Sequence, residues 1–245
     1  MAFEKVSGRD LQWFFNQWFM SAGHPELVVK IQNEENNLTL YTKQPQDTAY
    51  FPVYDLHVPV EIWTRSGCET HVLNIHSLSD TFRIPISETP KLVLWDADAS
   101  LLAFTEISTS RSQWIAQYHL ATKAVHRFEA LSHLKAEFPD YKDAKAVFEE
   151  AIHDSFWGIR QMALEALLDL DSSIQKRNLP AVIALASSDP KPFVRSQAWK
   201  VLASHRFEGK QALLEKAIVD SSISVSTQGY KVYLKEDYPD APAKI

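Results

Sequence analysis

Cysteine is nearly absent. Cys68 is the single example among 245 residues, so no disulfide can form within the chain. A lone cysteine is expected to act as a small buried hydrophobe, because a nucleophilic thiolate needs a positioned cation or histidine and nothing near Cys68 in sequence specifies one. Glycine is scarce, at 6 residues. Neither G-x-x-x-x-G-K-[ST] nor G-x-G-x-x-G occurs, which removes the usual backbone cradles for nucleotide phosphates. No apolar run approaches the ~20 residues that span a bilayer. The opening MAFEKVSGRDLQ lacks the basic-then-apolar order of a signal peptide. The expectation is a soluble chain without membrane contact. Lys and Arg are scattered singly within an acidic balance of 25 basic against 31 acidic residues. Without a basic cluster, no nucleic-acid partner is expected.

The length exceeds the usual size of one domain, and 45% apolar residues suffice for more than one core. The chain reads as three successive zones. In the first, Ser7 and Asp10 resemble a capping box. Leu11, Phe14, Phe15, Trp18 and Ala22 then repeat at helical spacing, and Gly23 and Pro25 close the segment. Trp13, Phe14, Phe15, Trp18 and Phe19 crowd seven positions. A helix apolar on nearly all sides needs burial on more than one face. Either it packs wholly on the strands C-terminal to it, or a partner lies outside this chain.

The second zone, Leu27 to Ile107, has short alternating runs: Val29/Ile31, Leu38/Leu40, Val58/Val60/Ile62, His71/Leu73/Ile75, Phe82/Ile84/Ile86 and Leu92/Leu94. Turn signals such as Asn36-Asn37, Ser66-Gly67 and Thr89-Pro90 separate them. Six or seven strands at this spacing predict an antiparallel β-sandwich. Pro52, Pro59 and Pro85 fall in strand-like runs, which predicts edge or bulged strands there.

The third zone, from Ser110 onward, is helical and repetitive. Asp154, Asp189 and Asp220 each start the pattern D-x4-[IV]-[RS]-x2-[AG]-x3-[LY], 35 and 31 residues apart. It comprises Ile159, Arg160, Ala163 and Leu167; Val194, Arg195, Ala198 and Leu202; Val225, Ser226, Gly229 and Tyr233. Each copy reads as an amphipathic helix with an Asp N-cap, and the segments Leu179–Ala186 and Lys210–Ile218 supply companion helices. The pattern resembles HEAT repeats, stacked helix pairs that form a solenoid. Asp154, Arg160, Asp189 and Arg195 are expected to stitch neighbouring helices rather than bind a ligand.

No catalytic constellation emerges. H-E-x-x-H, C-x-x-C and G-x-S-x-G are all missing. His119, His126 and His133 lie seven apart on one predicted helix, about 10 Å per step, too far for shared metal ligation. Glu34-Glu35 and Glu149-Glu150 read as solvated charge. Asp96 and Asp98, at the end of the last sandwich strand, read as turn caps. No catalytic, metal or cofactor residue is expected in this chain.

The segment from Val6 to Leu27 resembles the closing helix of the catalytic domain in the aminopeptidase N family of zinc metallopeptidases, the gluzincins. That family shows [TS]-G-x-[DN]-L-x-x-[FW]-F-x-x-W followed by a G-[HY]-P turn. Ser7, Gly8, Asp10, Leu11, Trp13, Phe14, Phe15, Gln17, Trp18, Gly23, His24 and Pro25 match it. Phe51–His57 resembles the family's F-P-V-x-[ILV] strand, and Val93–Leu102 its V-L-x-D-x-[DN]-x-x-L-L segment. The resemblance implies a closing helix over 1–26 that belongs to an absent catalytic domain, a β-sandwich over 27–109 and a HEAT-like helical domain over 110–245. It implies docking of the missing domain on Trp13, Phe14, Trp18 and Phe19. Zinc, the G-x-M-E-N motif and H-E-x-x-H would all belong to a parent enzyme, upstream of these residues. The partners implied are the enzyme's own catalytic domain and the parent's peptide substrate. A free-standing repeat scaffold for protein interactions is the alternative.

Overall fold

The computed structural model describes residues 2–236. Two compact units divide the chain, Met1–Ala116 and Gln117–Ile245. The first holds two small sheets and the second is helical.

The strands of the first unit are β1 (Glu26–Glu34), β2 (Asn37–Lys43), β3 (Leu56–Trp63), β4 (Cys68–Ile75), β5 (Ser79–Pro85), β6 (Leu92–Leu94) and β7 (Phe104–Ser108). One sheet has the order β5-β2-β1-β7 and the other β4-β3-β6. Alternation decides the faces. Leu56, Val58, Val60 and Ile62 of β3 all turn inward, as the two-residue period requires. They join Leu27, Val29, Leu38, Leu40, Leu73 and Ile75 in one apolar cluster drawn from both sheets. Each such side chain contributes about 1.5–3 kcal/mol when fully buried.

Two strand expectations need correction. β7 runs parallel to β1, with Glu26 beside Phe104 and Lys30 beside Ser108, so the four-stranded sheet is mixed rather than wholly antiparallel. Pro59 sits in β3, the middle strand of its sheet. It is tolerated because β6 pairs only with Glu61, Ile62 and Trp63. The Pro59 carbonyl accepts a bond from the Ala97 N–H on that side, so the missing N–H faces no strand ladder. Pro85 ends the edge strand β5. Phe51–Asp55 is a connection without regular secondary structure, and β3 begins only at Leu56.

The N-terminal segment is not one helix from Ser7. A first helix, α1 (Ala2–Ser7), ends there, and Gly8 turns the chain at φ +67°. Few other residues tolerate that backbone. The Asp10 carboxylate accepts the Gln12 N–H at 2.9 Å. A short helix α2 (Gln12–Phe15) follows and widens into a π-helical turn at Asn16–Met20.

Helices α3 (Arg111–Leu120), α4 (Ala124–Glu137), α5 (Lys142–Ala151), α6 (Trp157–Leu168), α7 (Ser172–Ser188), α8 (Pro192–Leu202), α9 (Lys210–Ile218) and α10 (Ile223–Lys235) complete the described chain. α5 packs on α6, α7 on α8 and α9 on α10, while α4, α6, α8 and α10 pack in succession. The repeat positions form the interior: Ile159, Val194, Ala163, Ala198, Leu167 and Leu202 are fully buried. Gly229 stands where the others have Ala. An added Cβ would lie 3.2 Å from the Ala217 backbone, so a side chain there would require α9 to yield by a few tenths of an ångström. Among the described residues, no helix is long and apolar enough to cross a membrane.

Candidate functional site

The first unit carries an open apolar groove of about 540 Å³. Trp13, Phe14, Trp18 and Phe19 line it, together with Asp55, Leu56, His57 and Leu101. The four aromatic residues that the sequence singles out therefore share one surface. Their roles differ. Trp18 packs against the core and meets the Tyr54 ring at 5.9 Å. Trp13 is 45% exposed and Phe19 67%. Phe14 and Phe15 meet edge to face, and Phe15 reaches Phe19 at 5.5 Å. Met20, Phe3 and Val6 extend the apolar surface along the same segment.

Specific contacts hold this segment in place. The Gln17 amide nitrogen donates to the Asp55 carbonyl at 3.1 Å, and its oxygen accepts the Asp55 N–H at 2.7 Å. Gln44 grips the adjacent residue in the same way, accepting the Tyr54 N–H and donating to its carbonyl, each at 2.9 Å. Gly23 has φ +91°, and a Cβ there would come within 2.5 Å of the Phe51 ring. On the far wall, Asp96 adopts φ +46° and accepts the N–H groups of Ser100 and Leu101. That cap presents Leu101 and Leu102 to the groove.

The polar residues Asp55 and His57 also line the groove. Asp55 Oδ1 lies 2.8 Å from His76 Nδ1, and the Asp55 side chain is still 45% exposed. The His57 ring meets His76 edge-on at 6.4 Å and Trp13 at 6.0 Å. The lining contains one carboxylate and neither Lys nor Arg. Sequence reasoning reaches the aromatic wall but misses these polar residues, since Asp55, His57 and His76 gather only once β3 and β4 have paired.

In the helical unit the Asp and Arg positions join across successive repeats. Arg160 clasps Asp189 at 2.8 and 3.0 Å, and Arg195 clasps Asp220 at 2.8 and 3.1 Å. Asp154 is held by Arg127 at 2.9 and 3.0 Å. Arg127 is not flagged by the sequence pattern, because Ala121 stands where that earlier copy would have its Asp. The remaining signal, His126-Arg127 with Ala130 and Leu134, is present in register. Each Arg also donates back to the turn before its own helix, as Arg160 does to the Asp154 carbonyl at 2.8 Å.

The aspartates are not N-caps. The cap positions of α6, α8 and α10 are Phe156, Lys191 and Ser222. The Asp two residues earlier accepts that residue's N–H at 2.7, 2.8 and 2.8 Å respectively. This is an Asx turn that aims the carboxylate at the preceding repeat. Burial pushes the carboxyls of Asp154 and Asp220 upward, but bonds from Arg127 and Arg195 outweigh it and hold both below the ordinary range.

The other candidates are dispersed. His119 sits on α3 and pairs with Glu150 at 2.9 Å, while His126 and His133 sit on α4. The break at Ala121–Lys123 separates them, so they do not share one helix. His126 is buried beside Glu129, at 3.8 Å. Glu149 is not merely solvated: it holds Arg177 and Asn178 of α7. Cys68 is exposed rather than buried. It opens β4 opposite Trp63, where the chain leaves the core. Partial burial and neighbouring Glu61 push its thiol upward, the wrong direction for a nucleophile. Among the described residues, no three His, Cys, Asp or Glu side chains gather as a metal ion requires.

No protein-family model matches this sequence, and no relative is found among curated proteins. Among solved structures, the chain is similar to the crystal structure of Legionella pneumophila aminopeptidase A in complex with aspartic acid. The TM-score is 0.67 at 14% identity, over 99% of this chain and 35% of that one. At that identity the likeness is one of fold, and this chain spans about a third of the Legionella chain.

Proposed function

We propose that this chain forms the non-catalytic C-terminal portion of a zinc-dependent aminopeptidase that removes N-terminal residues from peptides. In this reading residues 1–26 are the closing helix of a catalytic domain, 27–109 a β-sandwich that braces it, and 110–245 a HEAT-like solenoid that limits substrate access. The observation that carries it is the exposed aromatic groove of Trp13, Phe14 and Phe19, together with an aminopeptidase fold likeness over 99% of the chain. A face this apolar marks an interface, here for the catalytic domain. Two sheets that share one cluster support the sandwich, and the repeated Arg–Asp clasps support the solenoid. Zinc belongs to the parent's catalytic domain. Among the described residues no three donors gather as a metal ion requires, and no catalytic step is assigned to them.

An antibody raised to this chain tests the reading in the source cells. Detection of a species several-fold heavier than 27.9 kDa is expected. A species of the chain's own mass would favour a free-standing repeat scaffold for protein partners. That second reading draws on the exposed Phe193 ring, stacked at 5.9 Å on the half-buried Trp157 of the helical unit.

A further inference from the structure

The groove's polar lining narrows what can dock there. A purely apolar occupant would cover Asp55 and strip water from its carboxylate. An ionised carboxylate buried without a cation costs several kcal/mol. His76 Nδ1 meets one carboxylate oxygen, Oδ1, at 2.8 Å, and leaves the other for a donor from the occupant. No Lys or Arg lines the groove to supply the charge. Trp13 and Trp18 line the same groove, and indole faces attract guanidinium groups. Their stacking favours arginine over lysine.

We infer that the groove receives an apolar protein surface bearing one arginine, which pairs with Asp55 in the groove that Trp13 and Trp18 also line. This rests on the reading of the groove as a docking face and adds the chemistry of its partner. Charge complementarity selects a cationic protein surface. It argues against an acidic segment, which Asp55 would repel, and against a wholly apolar one.

Two synthetic probes test it on the full chain: N-acetyl-Leu-Leu-Arg-Leu-Leu-amide and the same peptide with Glu for Arg. Binding is followed by tryptophan fluorescence. The arginine probe is expected to bind about tenfold or more tightly than the glutamate probe. Asp55→Asn, which keeps the side-chain shape, is expected to bring the two within about twofold. Phe19→Ser is expected to weaken both, and thermal melts verify that each variant is folded. Equal affinities in the unaltered chain overturn the arginine pairing but leave the apolar docking face standing. Failure of both probes to bind, or binding untouched by Phe19→Ser, overturns the docking face as well. A concentration-dependent dimer that Phe19→Ser dissolves would seat a second copy in the groove and overturn the partner named here.

Discussion

The two units handle charge differently. In the helical unit, Asp154 and Asp189 are 6% and 2% exposed, and each is clasped by an arginine. In the strand unit the buried cluster is apolar, while Phe19 and Leu102 are 67% and 72% exposed. The helical unit takes ion pairs inward, whereas the strand unit gathers exposed aromatic side chains along one groove. Buried ion pairs give little net stability compared with apolar packing, because desolvation offsets the attraction. Here each pair bridges residues of successive repeats, whereas the outward aromatic face is surface that folding did not consume.

The strongest way to break this contrast is to orphan one clasp. Asp189→Ala leaves Arg160 buried without its carboxylate and should cost about 3–5 kcal/mol. Calorimetry should register the loss in the helical unit. Joint replacement of Arg160 and Asp189 by apolar residues of similar volume should recover most of it; failure to recover would mean that the pair itself supplies net stability. In the strand unit the corresponding damage comes from a cavity. Leu40→Ala, at a fully buried position, should cost about 2–5 kcal/mol, as measured by urea titration.

Acid should also separate the units. Asp154 and Asp220 are held below their ordinary value of 3.8. A depressed carboxyl gives stability that is fully present above the unfolded value and lost as pH falls through the folded one. His205 is held below 6.5, by burial first and then by Lys176 and Lys210. Its contribution is present above 6.5 and declines below it. Melting temperature followed against pH should fall gently below about 6.5, then steeply below about 4. Loss confined to the strand unit would refute this. Gly23→Ala should cost about 1–2 kcal/mol from its left-handed backbone alone, and more if the Phe51 ring cannot move. Smallest of all, Phe19→Ser should change stability by no more than about 0.5 kcal/mol. A larger loss would mean that the aromatic face belongs to this chain's own core.

Much of this was legible in the sequence. Alternation in runs such as Val58/Val60/Ile62 located the strands, and the repeat register located the buried faces of α6, α8 and α10. The misses have physical causes. β7 pairs parallel with β1 across the whole unit, and local alternation carries no information on direction. The first clasp was hidden because the pattern was anchored on an aspartate that Ala121 replaces. The polar lining of the groove depends on strand pairing that sets Asp55 beside His76, a relation no local window contains.

The clasps also give the helical unit a mechanical polarity. Arg127, Arg160 and Arg195 each reach forward to the aspartate of the next repeat, with successive aspartates 35 and 31 residues apart. Under tension applied from the Lys235 end, repeats should detach singly, each after rupture of one bidentate pair. Each event should release roughly 100–125 Å of contour length. A force trace would then be a short ladder of similar teeth rather than one collapse, each tooth marking an arginine let go.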